Sequence, residues 1–397
     1  MTDNKRWTKL VLGAVILFFA GIIYAWSVIK APFASEFGWG TTELGLNYTL
    51  TMCFFCLGGF ISGLVAKKVS AKIRMAISGL LVFAGFFITS TLNGNNPVLL
   101  YLGYGVMAGL GIGIVYNIAI SLTSSWFQDK KGICSGVLMM AFGFSSFVLG
   151  KLADKLFKVE TFGWRKVYLV YGIVIGAIII IGGLLIKGYE QNNAGDKEFS
   201  DEGEFTTLQM VKRASFWQIF VFILLVAAVG GIALSFGKDV ILSFDNSESA
   251  QSLAVTIASM LAILNGLGRI SSGAIFDKLG VRKTQLITSA VAIAAPLVTY
   301  LGLVANVKVV GIIGVCLCGF SYGFAPTVGA AMIGAFYGKK SFSLNFAMLN
   351  LNLIPSAFYA TIVGKLLDSG GTFATVFLIL VICSVVGLVD NIFIKKA

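Results

Sequence analysis

Twelve apolar stretches, each about 20 residues or longer, follow one another along this chain. A helix rises about 1.5 Å per residue, so roughly 20 residues cross the ~30 Å hydrocarbon core of a bilayer. The stretches lie at about 8–29, 42–66, 73–92, 97–120, 132–153, 166–187, 215–237, 252–276, 284–304, 308–335, 342–366 and 372–393, here spans 1 to 12. In lipid each span must satisfy its own backbone hydrogen bonds, so helices are expected throughout and the fold class is an all-α membrane protein. Only 12% of the residues are charged and mean hydropathy is +0.90; a soluble domain carries roughly 25% charged residues. The short basic segment 1–9 precedes span 1, which lacks an obvious cleavage site, so span 1 reads as a first membrane helix rather than a removed signal.

Net charge is +12, but its placement does not suit nucleic acid. Twenty of the 30 Lys and Arg fall in segments expected on one side, nine on the other, and one, Arg269, inside a span. That asymmetry is the positive-inside bias. With an even number of spans it puts both termini in the cytoplasm of a protein of the cell (inner) membrane. The expected partners are the bilayer and a small solute; no nucleic acid is expected and nothing requires more than a monomer. The chain has no His and shows no metal-binding cluster, so no metal, cofactor or catalytic residue is expected and the chain does not read as an enzyme. Cys53 and Cys56 are spaced like a redox pair but sit mid-helix, where they read as buried small residues.

The longest polar interruption, 188–214, divides the spans six and six. Residues 1–187 and 215–397 are therefore expected as two six-helix bundles joined by a cytoplasmic linker, within which 206–213 suits a short surface helix. The halves repeat. Gly63 and Lys67 after span 2 match Gly273 and Asp277 after span 8 at a spacing of 210, and Gly109 and Gly113 in span 4 match Gly319 and Gly323 in span 10 at the same spacing. A duplication of this kind predicts two pseudo-twofold-related halves around a central cavity, the plan of a transporter. Gly105, Gly109 and Gly113, four apart, leave span 4 a face open to close helix approach. Pro296, Pro326 and Pro355 all fall in the C-terminal half, which is expected to bend more.

Arg269 is the one charge in 252–276 and lies about 12 Å inside Asp277, a little to one side of mid-membrane. An arginine there costs on the order of 3 kcal/mol or more and should face a cavity or a partner. No carboxylate is near it in sequence, which favours a carried anion. Asn265, four residues earlier, shares its helix face. Tyr24, Trp26 and Lys30 in span 1, Tyr116 in span 4, Tyr322 in span 10, and Asn350 and Asn352 in span 11 are the other candidates for binding substrate. Each has a plainer reading as well. Tyr24 and Trp26 suit an interfacial belt, Tyr116 packing, Lys30 snorkelling to the outer surface, and at least one of the two asparagines helix–helix contact. Near-membrane acids such as Asp239 lie away from the midplane, so exchange or facilitated movement fits better than tight proton coupling.

Gly273-x-x-x-Asp277-Lys278-x-Gly280-x-Arg282-Lys283 is similar to the loop motif of the major facilitator superfamily, and the resemblance extends over essentially the whole chain. The first-half copy, Gly63 to Ser70, departs from it, with Lys67 where an acid is usual. Three features resemble the oxalate/formate antiporter branch and its monocarboxylate-transporter relatives: Tyr24-Ala25-Trp26-Ser27, the glycine-rich span 4 ending in Tyr116-Asn117, and Trp126-Phe127-Gln128-Asp129-Lys130-Lys131-Gly132. The resemblance implies the major facilitator fold, a substrate-binding role for Arg269, and a conformational latch at Asp277, Lys278 and Arg282. The chain departs from the oxalate exchanger in one respect: that exchanger has a second cation, a lysine, in mid-span 11, where the corresponding position here is about Leu353 and no Lys occurs in the span before Lys365. Monocarboxylate transporters have an acid four residues before the arginine, where this chain has Asn265. The expected function is alternating-access transport of a small organic anion, a monocarboxylate of the formate, lactate or pyruvate type, by exchange or facilitated movement. The alternatives are a dicarboxylate such as oxalate, a larger amphipathic or aromatic acid, or a non-transporting anion sensor.

Overall fold

The structure is a computed structural model that describes residues 3–94, 96–159, 161–188, 204–245, 247–339 and 341–394. Among these there is no strand, and eleven helical stretches are long and apolar enough to cross a membrane. Eleven stretches account for twelve spans because spans 8 and 9 form one run, Glu248–Val304, whose only non-helical residue is Gly280 at φ 74°, ψ −179°. That conformation is essentially restricted to glycine. The charged turn expected between these spans is therefore confined to one residue, and Asp277 sits on the helix. Most of the expected linker, 189–203, lies outside the described residues. Its end forms the short helix Thr207–Val211, capped by Thr206 and Gln209.

Both halves bend, and in the C-terminal half span 10 divides at Gly323, three residues before Pro326, into Lys308–Tyr322 and Phe324–Phe336. Pro296 causes no break in the helical stretch that runs from the Gly280 kink to Val304. Span 11 does break, into Phe342–Asn350, Leu353–Ser356 and Tyr359–Asp368, around Pro355. But span 1 passes through a 3-10 turn at Gly21–Ala25 and turns again at Lys30, and span 4 opens with π-helical turns over Tyr101–Ala108. No proline lies in Gly21–Ala25 or Tyr101–Ala108, whereas Pro32 opens the helix after the Lys30 turn. Packing supplies the cause in span 4, where a Cβ at Gly103 would come within 2.9 Å of the Gly85 carbonyl oxygen and one at Gly105 within 3.1 Å of Asn47 Oδ1. The backbone is fitted to its neighbours, and π turns accommodate such fits.

The described chain forms two compact units, one of Met1–Gln128, Ala141–Glu202 and Ser341–Ile354, the other of Asp129–Met140, Gly203–Lys340 and Pro355–Ala397. They differ from the expected halves by two exchanged helix ends. The start of span 5, 129–140, packs in the second unit, and the start of span 11, 341–354, packs in the first.

Within each unit the glycine repeat becomes a repeated helix crossing. In the first, a Cβ at Gly58 would collide with the Leu110 carbonyl, one at Gly113 with the Phe55 carbonyl, and one at Gly109 with Thr51. In the second, Gly268 meets the Phe320 carbonyl, Gly323 the Asn265 carbonyl, and Gly319 meets Leu261. Every residue in the second set is 210 positions after its counterpart in the first. Backbone-to-backbone approach of this kind is open only to glycine.

Candidate anion-binding site

Arg269 lies at the crossing of spans 8 and 10 in the second unit. Gly268 on one side of it and Gly323 opposite draw the two helices together. The start of span 5 closes on span 8 from another direction: Gly136 lies against the Arg269 carbonyl and Gly132 against Gly273. The Arg269 side chain, only 3% exposed, is held between these helices. Its Nε donates to Asn265 Oδ1 at 3.1 Å, one helical turn earlier, and Nη1 donates to the Met139 carbonyl of span 5. Among the described residues no carboxylate forms an ion pair with it.

Both acceptors are neutral, so the positive charge is solvated but not cancelled. A guanidinium has five N–H donors, and the two bonds leave three, one on Nη1 and two on Nη2, the kind of donors that grip a carboxylate. The arrangement can receive a small anion without first breaking an ion pair. Tyr322, four residues before Pro326, packs its Cβ against Gly230 of span 7 and lies within electrostatic reach of Arg269. Tyr359 of span 11 donates to the Leu224 carbonyl at 2.7 Å. The second unit thus brings Arg269, Asn265 and Tyr322 together.

The first unit brings Tyr24 and Tyr116 together around Phe142. Their ring centroids lie 5.1 and 4.9 Å from that of Phe142, and Tyr116 also meets Phe55 at 5.1 Å and Phe346 at 6.1 Å. Trp26 lies apart from this cluster. Its Nε1 donates to the Leu44 carbonyl at 2.9 Å and its ring packs on Tyr104 at 4.9 Å, so it ties span 1 to span 2. Lys30 is half-buried at the turn between two short helices and has no ion pair or side-chain hydrogen bond among the described residues. Asn350 ends the first segment of span 11 and its carbonyl accepts from Cys56 Sγ at 3.3 Å; Asn352 is buried in the turn that follows.

The three latch residues divide. Asp277 accepts from the backbone N–H groups of Gly132 and Ile133, both at 2.8 Å, and so caps the start of span 5 rather than pairing with a counter-charge. Arg282 donates to the Asn391 and Ile392 carbonyls at 2.8 and 3.1 Å, at the end of span 12. Lys278 is exposed. Sequence reasoning missed Met139, which contributes only a backbone carbonyl, and Phe142. Gly132-x-x-x-Gly136 did carry a signal for close approach by span 5, since small residues four apart open one helix face.

The family model described as Major Facilitator Superfamily matches residues 11–327, most of the chain. The chain belongs to that superfamily. The uncharacterized MFS-type transporter YhjX of Escherichia coli is 23% identical over 357 residues, covering 88% of this chain and 85% of that protein. The oxalate:formate antiporter of Oxalobacter formigenes is 25% identical over 350 residues, covering 87% and 81%. The solved structure of the proton:xylose symporter XylE aligns with a TM-score of 0.77 at 12% identity, over 100% of this chain and 97% of that one. At this identity the structural likeness concerns the fold. This member of the superfamily is therefore a multi-pass membrane transporter with the major facilitator fold.

Proposed function

We propose that this transporter carries a small organic anion by alternating access and that Arg269 binds its carboxylate. The observation that supports this reading is a buried guanidinium held by two neutral acceptors, with three donors left over and, among the described residues, no acid paired with it. An arginine so placed costs several kcal/mol unless a counter-charge arrives, and a carried carboxylate is such a counter-charge. Asn265 orients the guanidinium through Nε and leaves its outer edge to the substrate. Tyr322 shapes the site around Arg269 in the second unit, and Tyr24 and Tyr116 are the candidates for substrate contact in the first. Asn350 and Asn352 lie where span 11 breaks, and Lys30 supplies a second positive charge from the outer side. With one central cation, a monocarboxylate of the formate, lactate or pyruvate type balances the site. Both termini lie in the cytoplasm, and residues 188–214 link two six-helix halves.

The test is uptake by the protein in proteoliposomes loaded with formate, lactate, pyruvate or oxalate. Arg269→Ala is expected to abolish exchange while the protein still inserts and elutes as a single species. Arg269→Lys keeps charge but loses the fork, and exchange should fall at least about tenfold. Wild-type uptake by Arg269→Ala would remove the site. Lys30→Gln should raise the half-saturation constant and leave the maximal rate; an unchanged constant takes Lys30 out of the path. Similarity to the oxalate:formate antiporter favours a second reading, exchange of a dicarboxylate. Oxalate outcompeting formate and lactate would select it.

A further inference from the structure

Spans 5 and 11 are equivalents in the duplicated halves, and the start of each packs in the unit opposite to the rest of its half. The two starts are held by different chemistry. At span 5 the Asp277 carboxylate takes up the Gly132 and Ile133 N–H groups, donors that a helix start leaves unsatisfied and that favour negative charge. The residue 210 positions before Asp277 is Lys67, whose ammonium has no acceptor to offer. Span 11 nevertheless begins firmly attached. Asn117 Nδ2 donates to the Ser343 carbonyl at 2.8 Å, and Ser343 Oγ donates back to Asn117 Oδ1 at 2.5 Å. Asn117 is 1% exposed. Beside it Gly63 admits the backbone of Leu344, whose Cα would lie 2.8 Å from a Cβ at that glycine.

We infer that the Asn117–Ser343 pair is the lock that holds residues 341–354 on the first unit, where span 5 uses the Asp277 carboxylate, and that releasing it is a step of the transport cycle. Asn117 is a positioning residue: it holds the arm of span 11 and does not need to touch the solute. Two reciprocal neutral hydrogen bonds suit a contact that must form and break repeatedly, because neither leaves an uncompensated charge when it opens.

The chain carries its own reporters. Cys56 is buried under the same arm, its thiol donating to the Asn350 carbonyl. Cys134 is buried at the start of span 5. The full-length protein in proteoliposomes is treated with N-ethylmaleimide, and modification of each cysteine is followed by mass spectrometry. Asn117→Ala is expected to raise the Cys56 rate about tenfold, the equivalent of two neutral hydrogen bonds, and to leave Cys134 within twofold. Ser343→Ala removes one bond and keeps the backbone carbonyl, so its rise is smaller, and it stands in if Asn117→Ala fails to fold. Asp277→Asn should do the reverse, raising Cys134 and not Cys56. An unchanged Cys56 rate in the folded variants overturns the proposal. An equal rise at both cysteines also overturns it, since that is general loosening rather than release of one arm.

Discussion

The crossing of spans 2 and 4 and the crossing of spans 8 and 10 share one backbone plan and differ in what they present. The glycines that bring the helices together, Gly58, Gly109 and Gly113 against Gly268, Gly319 and Gly323, are the same at a displacement of 210. Between them, the positions of Asn265 and Arg269 in the second unit are filled by Phe55 and Gly59 in the first. Phe55 joins the ring cluster with Tyr116 and Phe142. One copy of a duplicated scaffold has become a charged grip and the other an aromatic wall. The backbone determines where a side chain can stand; the residue then decides whether that place recognises charge or shape.

If the two crossings are one design, crowding either should be equally damaging. Gly113→Val and Gly323→Val each drive a branched side chain into a carbonyl oxygen of the neighbouring helix. Overpacking typically costs about 1–3 kcal/mol, and more where the obstacle is backbone. Both variants should lose most of the monodisperse protein on size-exclusion chromatography in detergent. If only one variant collapses, the crossings are not equivalent.

The next effect sharpens the chemical difference. Asn265→Asp puts a carboxylate one turn from Arg269, in place of the Oδ1 that now accepts from Nε. At neutral pH the new anion competes with the carried one, so half-saturation should rise roughly tenfold or more. Wild-type affinity across pH 5–8 would mean that Arg269 does not bind the substrate.

Much of this comparison was legible in the sequence. The spacing of 210 marked the duplication because a glycine forced by helix contact cannot drift. Arg269 stood out because a charge so deep in an apolar run has few inexpensive explanations. The exchange of the starts of spans 5 and 11 was not legible, since hydropathy records burial and not which helix does the burying. Nor were the irregular turns at Gly21–Ala25 and Tyr101–Ala108, which arise from the fit of neighbouring helices and not from proline. Met139 escaped because a carbonyl donated by the backbone is identical for every residue type. Trp26 stands two residues from Tyr24 in sequence, but its hydrogen bond to Leu44 sends it to a different neighbour.

A third test restores the missing symmetry. Lys67→Asp puts an acid at the position equivalent to Asp277, four residues after Gly63, which packs on Leu344. A carboxylate at a helix start contributes roughly 0.3–1 kcal/mol. Cys56 modification should therefore slow roughly two- to fivefold, with Cys134 unaffected. Faster labelling of Cys56 would show that Lys67 already stabilises the arm in its own way.

The smallest effect lies at the opposite ends of the same helices. Span 10 begins at Lys308, which pairs with Asp245 at 3.1 Å, whereas span 4 begins at Val98, whose N–H is taken by the neutral Asn96 Oδ1 at 2.8 Å. The backbone N–H of Ser247, and after it the Lys308 ammonium, hold the Asp245 carboxyl below the usual carboxylate range. A value depressed by folding gives a stabilisation that is present above the ordinary aspartate pKa of about 3.9 and is lost as pH falls through the lower folded value. The C-terminal crossing therefore has an acid-sensitive anchor that its N-terminal counterpart lacks. Because the pair is exposed, the gain is small and is screened by salt. Asp245→Asn should lower the melting temperature slightly at pH 7, by an amount that shrinks in high salt and vanishes once the wild-type carboxyl is protonated. A difference that widened toward low pH would have the wrong sign for this ion pair. It would place the acid sensitivity elsewhere in the protein.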